Sequence, residues 1–120
     1  MSPTPPRRIG NTLDLTAQPV ETATVAWRLQ ESDRHLDANL IRLAPAGEIA
    51  PHTGGEVDVL VHVVAGSGTV NDIDVTAGDL LWLPRRSRRA FRAGPDGLGY
   101  LTVHTHREPT LTIESVRRTD

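Results

Sequence analysis

The sequence contains no cysteine, and this absence removes several kinds of chemistry at once. Disulfide bonds, thiolate nucleophiles and thiolate metal sites are all excluded, so histidine, aspartate and glutamate are the only strong side-chain ligands left for a metal ion. A chain of 120 residues buries enough apolar surface to fold without a covalent or metal staple. We therefore expect one globular domain that is compatible with the reducing cytoplasm.

Lysine is also absent, since all 13 basic residues are arginine, and the formal net charge is −2. Binding to nucleic acid generally requires a basic excess on one face, so this charge argues against a general nucleic-acid-binding protein. Apolar residues nowhere run long enough to span a bilayer, and the first residues, MSPTPPRRIGN, lack the apolar core of a signal peptide. The sequence predicts a soluble cytoplasmic protein that binds neither nucleic acid nor membranes.

No window of the sequence has a helical period, while turn signals recur about every 8 to 12 residues, the spacing of an all-β sandwich or barrel. We predict a mobile arm at residues 1–19 that contains a short strand from Thr12 to Leu15. A β-barrel domain at residues 20–116 and a tail at residues 117–120 follow. Other strands are predicted at Thr22 to Leu29, Ala38 to Leu43, Glu56 to Val64, Leu80 to Leu83, Tyr100 to His106 and Leu111 to Val116.

The strand from Glu56 to Val64 carries the clearest pattern, because every second residue is a valine. Side chains alternate between the two faces of a strand, so the whole valine series is predicted to point into the core. Turns and breaks around it are predicted at four places: Ala44 to Gly47, Gly66-Ser67-Gly68, Thr76 to Asp79 and Gly94 to Gly97. A tight hairpin is predicted around Asn71-Asp72 and an irregular segment from Pro51 to Gly55. The four aromatic residues are predicted to lie in the core, with Trp82 and Phe91 also lining a pocket: Trp27, Trp82, Phe91 and Tyr100.

Two stretches of this frame resemble the motifs of the cupin superfamily. The first is matched by Gly47, His52, an acidic candidate at Asp58 and Gly66. The second is matched by GDLLWLP, which ends at Pro84. The resemblance covers roughly residues 37 to 105 and implies a single-domain jelly-roll β-barrel that holds a ligand or a metal ion.

The metal ligands that this resemblance implies are mostly replaced. The second histidine of the first motif falls at Gly54 and the histidine of the second motif falls at Arg89, so only His52 remains as a clear ligand. The valine series also favours a register in which Asp58 faces away from the barrel. A transition metal generally needs three or four protein ligands, so we favour a barrel without a metal cofactor.

Arg89 occupies an inward position in the resemblance and shares a strand face with Phe91. A buried guanidinium needs an acceptor, which points to Glu48, to Asp79, or to the carboxylate or phosphate of a ligand. We expect ligand contacts from His52, Arg89, Phe91 and Trp82. The other arginines of the run are predicted to lie exposed along a strand edge: Arg85, Arg86, Arg88 and Arg92.

Three functions are compatible with these residues. The favoured one is the binding of a small organic, anionic ligand in the barrel, in a protein that also suits a homodimer with strand edges paired between subunits. The second is a metal-dependent cupin enzyme of isomerase, dioxygenase or cyclase type, with Fe, Mn, Ni or Zn held by His52, Asp58 and His104. The third is a ligand-sensing or protein-interaction module. The residues do not decide whether a reaction is catalysed, and they do not name the ligand.

Overall fold

The computed structural model describes residues 4–106 of the chain, which form one short helix and seven strands. The elements are α1 (Thr12–Leu15), β1 (Thr24–Arg28), β2 (Leu36–Leu43), β3 (Glu48–Thr53), β4 (Val59–Val70), β5 (Ile73–Thr76), β6 (Leu80–Leu83) and β7 (Arg88–Thr105). The predicted all-β class is confirmed. The strand predicted at Leu111 to Val116 lies outside the described residues. Within residues 4–106, no helix is long and apolar enough to cross a membrane.

All the strand pairs are antiparallel, and the long strand β7 organises them. The sheet has the order β1-β2-β7-β4-β5, with β3 also paired to β7 and β6 also paired to β4. Strand β7 therefore contacts three other strands. The sheet surrounds one hydrophobic core, whose members come from five strands: Leu43, Val59, Val61, Val63, Val70, Val75, Leu83, Phe91, Ala93, Leu98 and Tyr100.

The valine series lies on the core face of β4, as the period-2 pattern predicted. Val59, Val61 and Val63 are buried, and Val57 packs against the same cluster from just before the strand. Because side chains alternate, Leu60 and His62 point to the opposite face and are exposed. The two faces of β4 thus separate the barrel interior from an outer surface.

The turn predicted at Gly66-Ser67-Gly68 is wrong, because β4 continues to Val70 through an irregular pairing with β7. Gly66 has a φ of 73°, and a Cβ atom at this position would collide with the carbonyl oxygen of Gly97. The turn predicted from Gly94 to Gly97 is also wrong: these residues form a bulge inside β7 at the same crossing. Glycine is needed here for positive φ and close approach of two strands, not for reversal of the chain.

The strand predicted from Thr12 to Leu15 is wrong as well, because these residues form α1. The side chain of Asn11 accepts hydrogen bonds from the backbone N–H groups of Leu13 (2.8 Å) and Asp14 (3.2 Å), which caps the helix N-terminus. Just before it, the carbonyl oxygen of Ile9 accepts a hydrogen bond of 3.2 Å from Nε1 of Trp27. Trp27 is therefore half-buried against the N-terminal segment on the outer surface, and its predicted core position is wrong.

The local turns are where the sequence placed them. Val70 pairs with Ile73, so Asn71 and Asp72 close the predicted β4–β5 hairpin. The predicted turns from Ala44 to Gly47 and from Thr76 to Asp79 are present, with closing hydrogen bonds of 2.8 Å and 3.1 Å. The predicted irregular segment from Pro51 to Gly55 is wrong in its first half, because β3 extends to Thr53.

Candidate functional site

Arg89 is the one charged residue that the described structure buries, with 8% of its surface exposed. It lies near the start of β7, where buried and exposed residues alternate, and it shares the buried face with Phe91. The inward orientation that the resemblance implied is therefore present. A positive charge stands at the end of the barrel core.

The hydrogen-bond partners of this guanidinium are all neutral. Its Nη2 donates to the carbonyl oxygens of Pro84 (2.9 Å) and Leu83 (3.4 Å), and its Nε donates to the hydroxyl of Ser87 (3.3 Å). No carboxylate within residues 4–106 forms an ion pair with Arg89. The charge of Arg89 is thus solvated by dipoles and is not neutralised.

Of the alternatives for a partner of Arg89, the two candidate carboxylates of the protein, Glu48 and Asp79, are wrong. Glu48 forms an ion pair with Arg92 on the outer side of β7. Asp79 accepts a hydrogen bond of 2.8 Å from the backbone N–H of Thr76 and so closes its own turn. Both carboxylates are already held by local partners.

Gly54 makes room for the guanidinium, a contact that the sequence reasoning missed. A Cβ atom on residue 54 would collide with the guanidinium carbon of Arg89 and would lie only 2.5 Å from Nη1 and 2.6 Å from Nε. The backbone N–H of Gly54 donates to the carbonyl oxygen of Ser87 (2.9 Å), which holds this segment against the start of β7. Gly54 and Arg89 are the two positions where the cupin motifs lead us to expect histidine, and this joint replacement is the signal that could have revealed their contact.

The Nη1 atom of Arg89 donates to no acceptor in the described part of the chain, yet it is not sealed from solvent. The hydrogen bonds of the guanidinium use only Nε and Nη2. Among residues 4–106, every fully buried side-chain nitrogen or oxygen has a partner, so Nη1 retains contact with solvent. This atom is a donor that has no acceptor in the described residues and is not completely buried.

His52 lies directly opposite Arg89, because the two residues are register partners in the β3–β7 pair. Its side chain is exposed, and its Nδ1 lies 3.1 Å from the carbonyl oxygen of Ala50. The structure therefore brings the two predicted site residues onto neighbouring strands. His52 stands at the exposed margin while Arg89 stands inside.

The two aromatic residues predicted for the site differ in exposure and lie on opposite faces of the sheet. The ring of Phe91 is buried and stacks on the ring of Tyr100, with centroids 4.5 Å apart and an angle of 6° between the planes. Burial raises the pKa of the Tyr100 hydroxyl. Trp82 is 61% exposed on the opposite face of the sheet, so its predicted core position is wrong.

The alternative metal site of His52, Asp58 and His104 is not assembled. The carboxylate of Asp58 accepts hydrogen bonds from the backbone N–H (2.8 Å) and the guanidinium (3.1 Å) of Arg85, which lowers its pKa. His104 lies opposite Asp37 in the β2–β7 register, whereas His52 lies on β3. Among residues 4–106, no three histidine, aspartate or glutamate side chains are grouped to hold a metal ion. These residues do not fit the metal that the fold family implies.

The predicted exposure of the other arginines is confirmed, and most of them form ion pairs on the surface. Arg85 pairs with Asp58, Arg86 with Glu56, and Arg92 with Glu48. Exposed pairs of this kind are screened by solvent and contribute little to stability. Their predicted position along a strand edge is wrong for Arg92, which lies on β7 between β3 and β4, and for Arg85 and Arg86, which lie in the turn before β7.

A second polar cluster, which the sequence reasoning missed, lies where β7 ends. His106 Nδ1 is 2.8 Å from one carboxylate oxygen of Asp37, and the guanidinium of Arg34 is 2.7 Å from the other. The hydrogen bond with His106, followed by the contacts with Arg34, lowers the pKa of Asp37. The cluster ties the loop before β2 to the end of β7.

We expect this cluster to make stability depend on acid. A lowered pKa of Asp37 in the folded state stabilises the protein above the unfolded-state pKa of about 3.9, and the contribution disappears as the pH falls through the lowered value. Asp37→Asn should therefore lower the unfolding free energy by about 1 kcal/mol at pH 7 and by progressively less toward pH 2. Urea unfolding at a series of pH values measures this, with Asp33→Asn, an exposed carboxylate of the same loop that forms no ion pair in the described structure, as the control. An equal loss at both ends of the pH range would contradict it.

With the geometry described, comparison with known proteins identifies the architecture. No protein-family model matches the sequence, and no curated protein matches it. Solved structures do match. The polyketide cyclase RemF from Streptomyces resistomycificus superposes with a TM-score of 0.67 at 20% identity, over 87% of this chain and 82% of that one. The cupin domain of Cnp3 from Schizosaccharomyces pombe superposes with a TM-score of 0.64 at 15% identity, over 93% of this chain and 81% of that one. The chain has the cupin fold.

A third match shows that the shared fold does not fix the function. An 11S globulin from Wrightia tinctoria, for which an auxin binding site is described, matches with a TM-score of 0.58 at 30% identity. The match covers 62% of this chain but only 21% of the globulin. A cyclase, a globulin and a domain of Cnp3 share the fold, so function must be argued from the site of this chain itself.

Proposed function

We propose that this cupin binds a small organic anion at the Arg89 guanidinium, without a metal ion. The observation that carries the proposal is a buried positive charge whose only partners in the described chain are neutral dipoles. The lack of cysteine is consistent with a cytoplasmic setting for this activity.

Electrostatics favours an anion as the missing partner. A guanidinium that has left bulk water retains a strong attraction for a carboxylate or phosphate, because the local dielectric screens the charge poorly. Carboxylates and phosphates are strong acceptors for the N–H groups of arginine. Nη1, beside Gly54, is the guanidinium nitrogen left for such a contact, because Nε and Nη2 already donate within the protein.

A second polar side chain lies next to Arg89. His52, opposite Arg89, supplies an exposed imidazole that donates or accepts a second hydrogen bond. An open concave surface of about 460 Å³ lies nearby, but its lining includes Pro51 and Phe91 and neither Arg89 nor His52, so it is not counted as part of the proposed site. Trp82 is not part of the proposed site because it lies on the opposite face.

We expect small dicarboxylates or phosphate to raise the melting temperature of the protein. A ligand at one hundred times its dissociation constant stabilises the folded state by about 2.7 kcal/mol, which thermal unfolding detects easily. Arg89→Gln removes the charge and should abolish the shift. Arg88→Gln removes the same charge from the adjacent, outward-facing position and should leave the shift intact.

Metal analysis of the purified protein completes the test. Stoichiometric Fe, Mn, Ni or Zn that is lost in a His52→Ala variant would contradict the proposal and favour the metal-dependent enzyme. A temperature shift that survives Arg89→Gln would place the anion elsewhere.

A further inference from the structure

A narrow cleft lies between strand β2, the bulge of β7 and the segment that follows α1. It encloses about 150 Å³, and its lining includes neither Arg89 nor His52. Gly97 and Gly99 of β7 line it with backbone alone. A Cβ atom on residue 99 would approach the side chain of Thr16 to 3.3 Å and that of Ala65 to 3.4 Å, so glycine keeps the space between these two residues open.

Two residues of opposite charge line this cleft, Arg42 and Asp96. Within residues 4–106 neither of them forms an ion pair, and they do not pair with each other. Arg42 is half-buried, and its one hydrogen bond in the described chain runs from Nη2 to the carbonyl oxygen of Thr16 (3.2 Å). The cleft therefore presents one positive and one negative charge that no side chain of the described residues neutralises.

The rest of the lining is mostly apolar and the space is small. Apart from the two charged residues, Thr16 and the glycines, the lining consists of apolar residues: Pro19, Val20, Leu43, Pro45, Ala65 and Leu98. A water molecule takes about 30 Å³ of liquid volume, so the cleft has room for about five or six non-hydrogen atoms. A ligand of this size has space for its charged groups and one short apolar group.

We propose that this cleft binds a small zwitterion of the class of short-chain α-amino acids, such as alanine. Its carboxylate contacts the guanidinium of Arg42, and its ammonium group contacts the carboxylate of Asp96. A simple anion would be repelled by Asp96 and a simple cation by Arg42, so the two charges together select a molecule that carries both. The inference does not depend on the anion site at Arg89.

A titration of the ¹⁵N-labelled full chain with L-alanine, followed by NMR, tests the proposal. The backbone amide signals of Gly97 and Gly99 should shift and reach saturation below about 50 mM, whereas a general cosolute effect does not saturate. Acetate and ethylamine, which carry one charge each, should bind at least about tenfold more weakly, the effect of losing one modest charged contact. Arg89→Gln should leave the alanine titration unchanged.

Two variants assign the two ends of the ligand. Arg42→Gln and Asp96→Asn should each weaken alanine binding at least about tenfold. Asp96→Asn should in addition strengthen acetate binding, because the repulsive charge is gone, and loss of structure alone would not produce this gain. Arg28→Gln and Asp74→Asn remove the same charges from exposed positions outside the cleft, so they are the matched controls and should leave alanine binding intact.

Four results would overturn the proposal. The first is the absence of saturating shifts at Gly97 and Gly99. The second is acetate binding in the wild-type protein as strong as alanine binding, which would make the cleft a simple anion site. The third is an equal loss in Arg28→Gln and Arg42→Gln, which would assign the effect to overall charge. The fourth is loss of the alanine shifts in Arg89→Gln, which would place the amino acid at the other site.

Discussion

Truncation of Phe91 to alanine should destabilise the protein by about 3–5 kcal/mol, the range for a large aromatic residue removed from a packed core. Phe91 is 5% exposed, and its ring stacks on that of Tyr100 inside the barrel. The variant loses both the buried apolar surface and the stacking contact, and rigid strands on each side prevent the cavity from closing. Guanidinium unfolding at pH 7 measures the change, which is a large fraction of the stability of a typical domain.

A matched substitution separates burial from size. Ile73→Ala removes an apolar side chain from an exposed position of the same sheet, so it should change the unfolding free energy by less than about 1 kcal/mol. Equal losses in the two variants would show that the stacked rings do not form the centre of the core.

Substitution of Gly54 by alanine is expected to displace Arg89 and to abolish the response to anions without removing any charge. The added Cβ would lie within 2.6 Å of two guanidinium nitrogens, so the guanidinium must leave its present position. The hydrogen bonds with Pro84, Leu83 and Ser87 would then be lost or weakened. Because hydrogen bonds to charged groups contribute about 1.5–3 kcal/mol each and the displaced guanidinium regains water, we expect a net destabilisation of about 1–3 kcal/mol.

A double-mutant cycle shows whether this effect acts through Arg89. In an Arg89→Ala background no guanidinium remains beside residue 54, so Gly54→Ala should then be nearly neutral. Unfolding free energies of the four proteins give the coupling, and melting shifts with succinate or phosphate report on binding. Purely additive losses would mean that alanine strains the backbone at residue 54, and they would contradict the steric account.

The sequence correctly predicted the parts of the fold that depend on local residue patterns. The valines of β4 alternate strictly, and a one-residue shift would expose the whole series, so the register follows from the residues alone. The β4–β5 hairpin likewise follows from the turn residues Asn71 and Asp72 between two apolar stretches. The cupin resemblance placed Arg89 inside the barrel, where it lies.

The wrong predictions have three different causes. Gly66 reads as a turn residue in sequence, yet it marks a crossing with Gly97, which lies 31 residues later in the chain. Thr12 to Leu15 have residues suited to a strand, but the Asn11 cap selects a helical turn. An apolar residue on the outer surface of the sheet cannot be distinguished in sequence from a core residue. Trp82, which lies on that outer surface, was therefore predicted to be in the core.

The same limit applies to the candidate site. The carbonyl groups of Leu83 and Pro84 that solvate the guanidinium carry no signature in the sequence, because every residue has a carbonyl group. Reasoning from side chains alone therefore considered only carboxylates and phosphates as partners, with Glu48 and Asp79 as the candidates within the protein. The path of the turn after β6 places the carbonyl oxygens of Leu83 and Pro84, and not a carboxylate, beside the guanidinium.

The central position of β7 also has a consequence for the order of folding. Strands β2, β3 and β4 each pair with β7, and β7 extends to Thr105. None of these three strands has all its neighbours until β7 has folded against it. Closing the long loops between them costs chain entropy before the contacts form. Proteins dominated by such non-local pairings fold in milliseconds to seconds, well above the microsecond times of helical bundles. During this delay the core face of β4 and β6, which includes Val61, Val63 and Leu83, lacks its cover from β7, and this exposed apolar surface favours association of the incompletely folded chain.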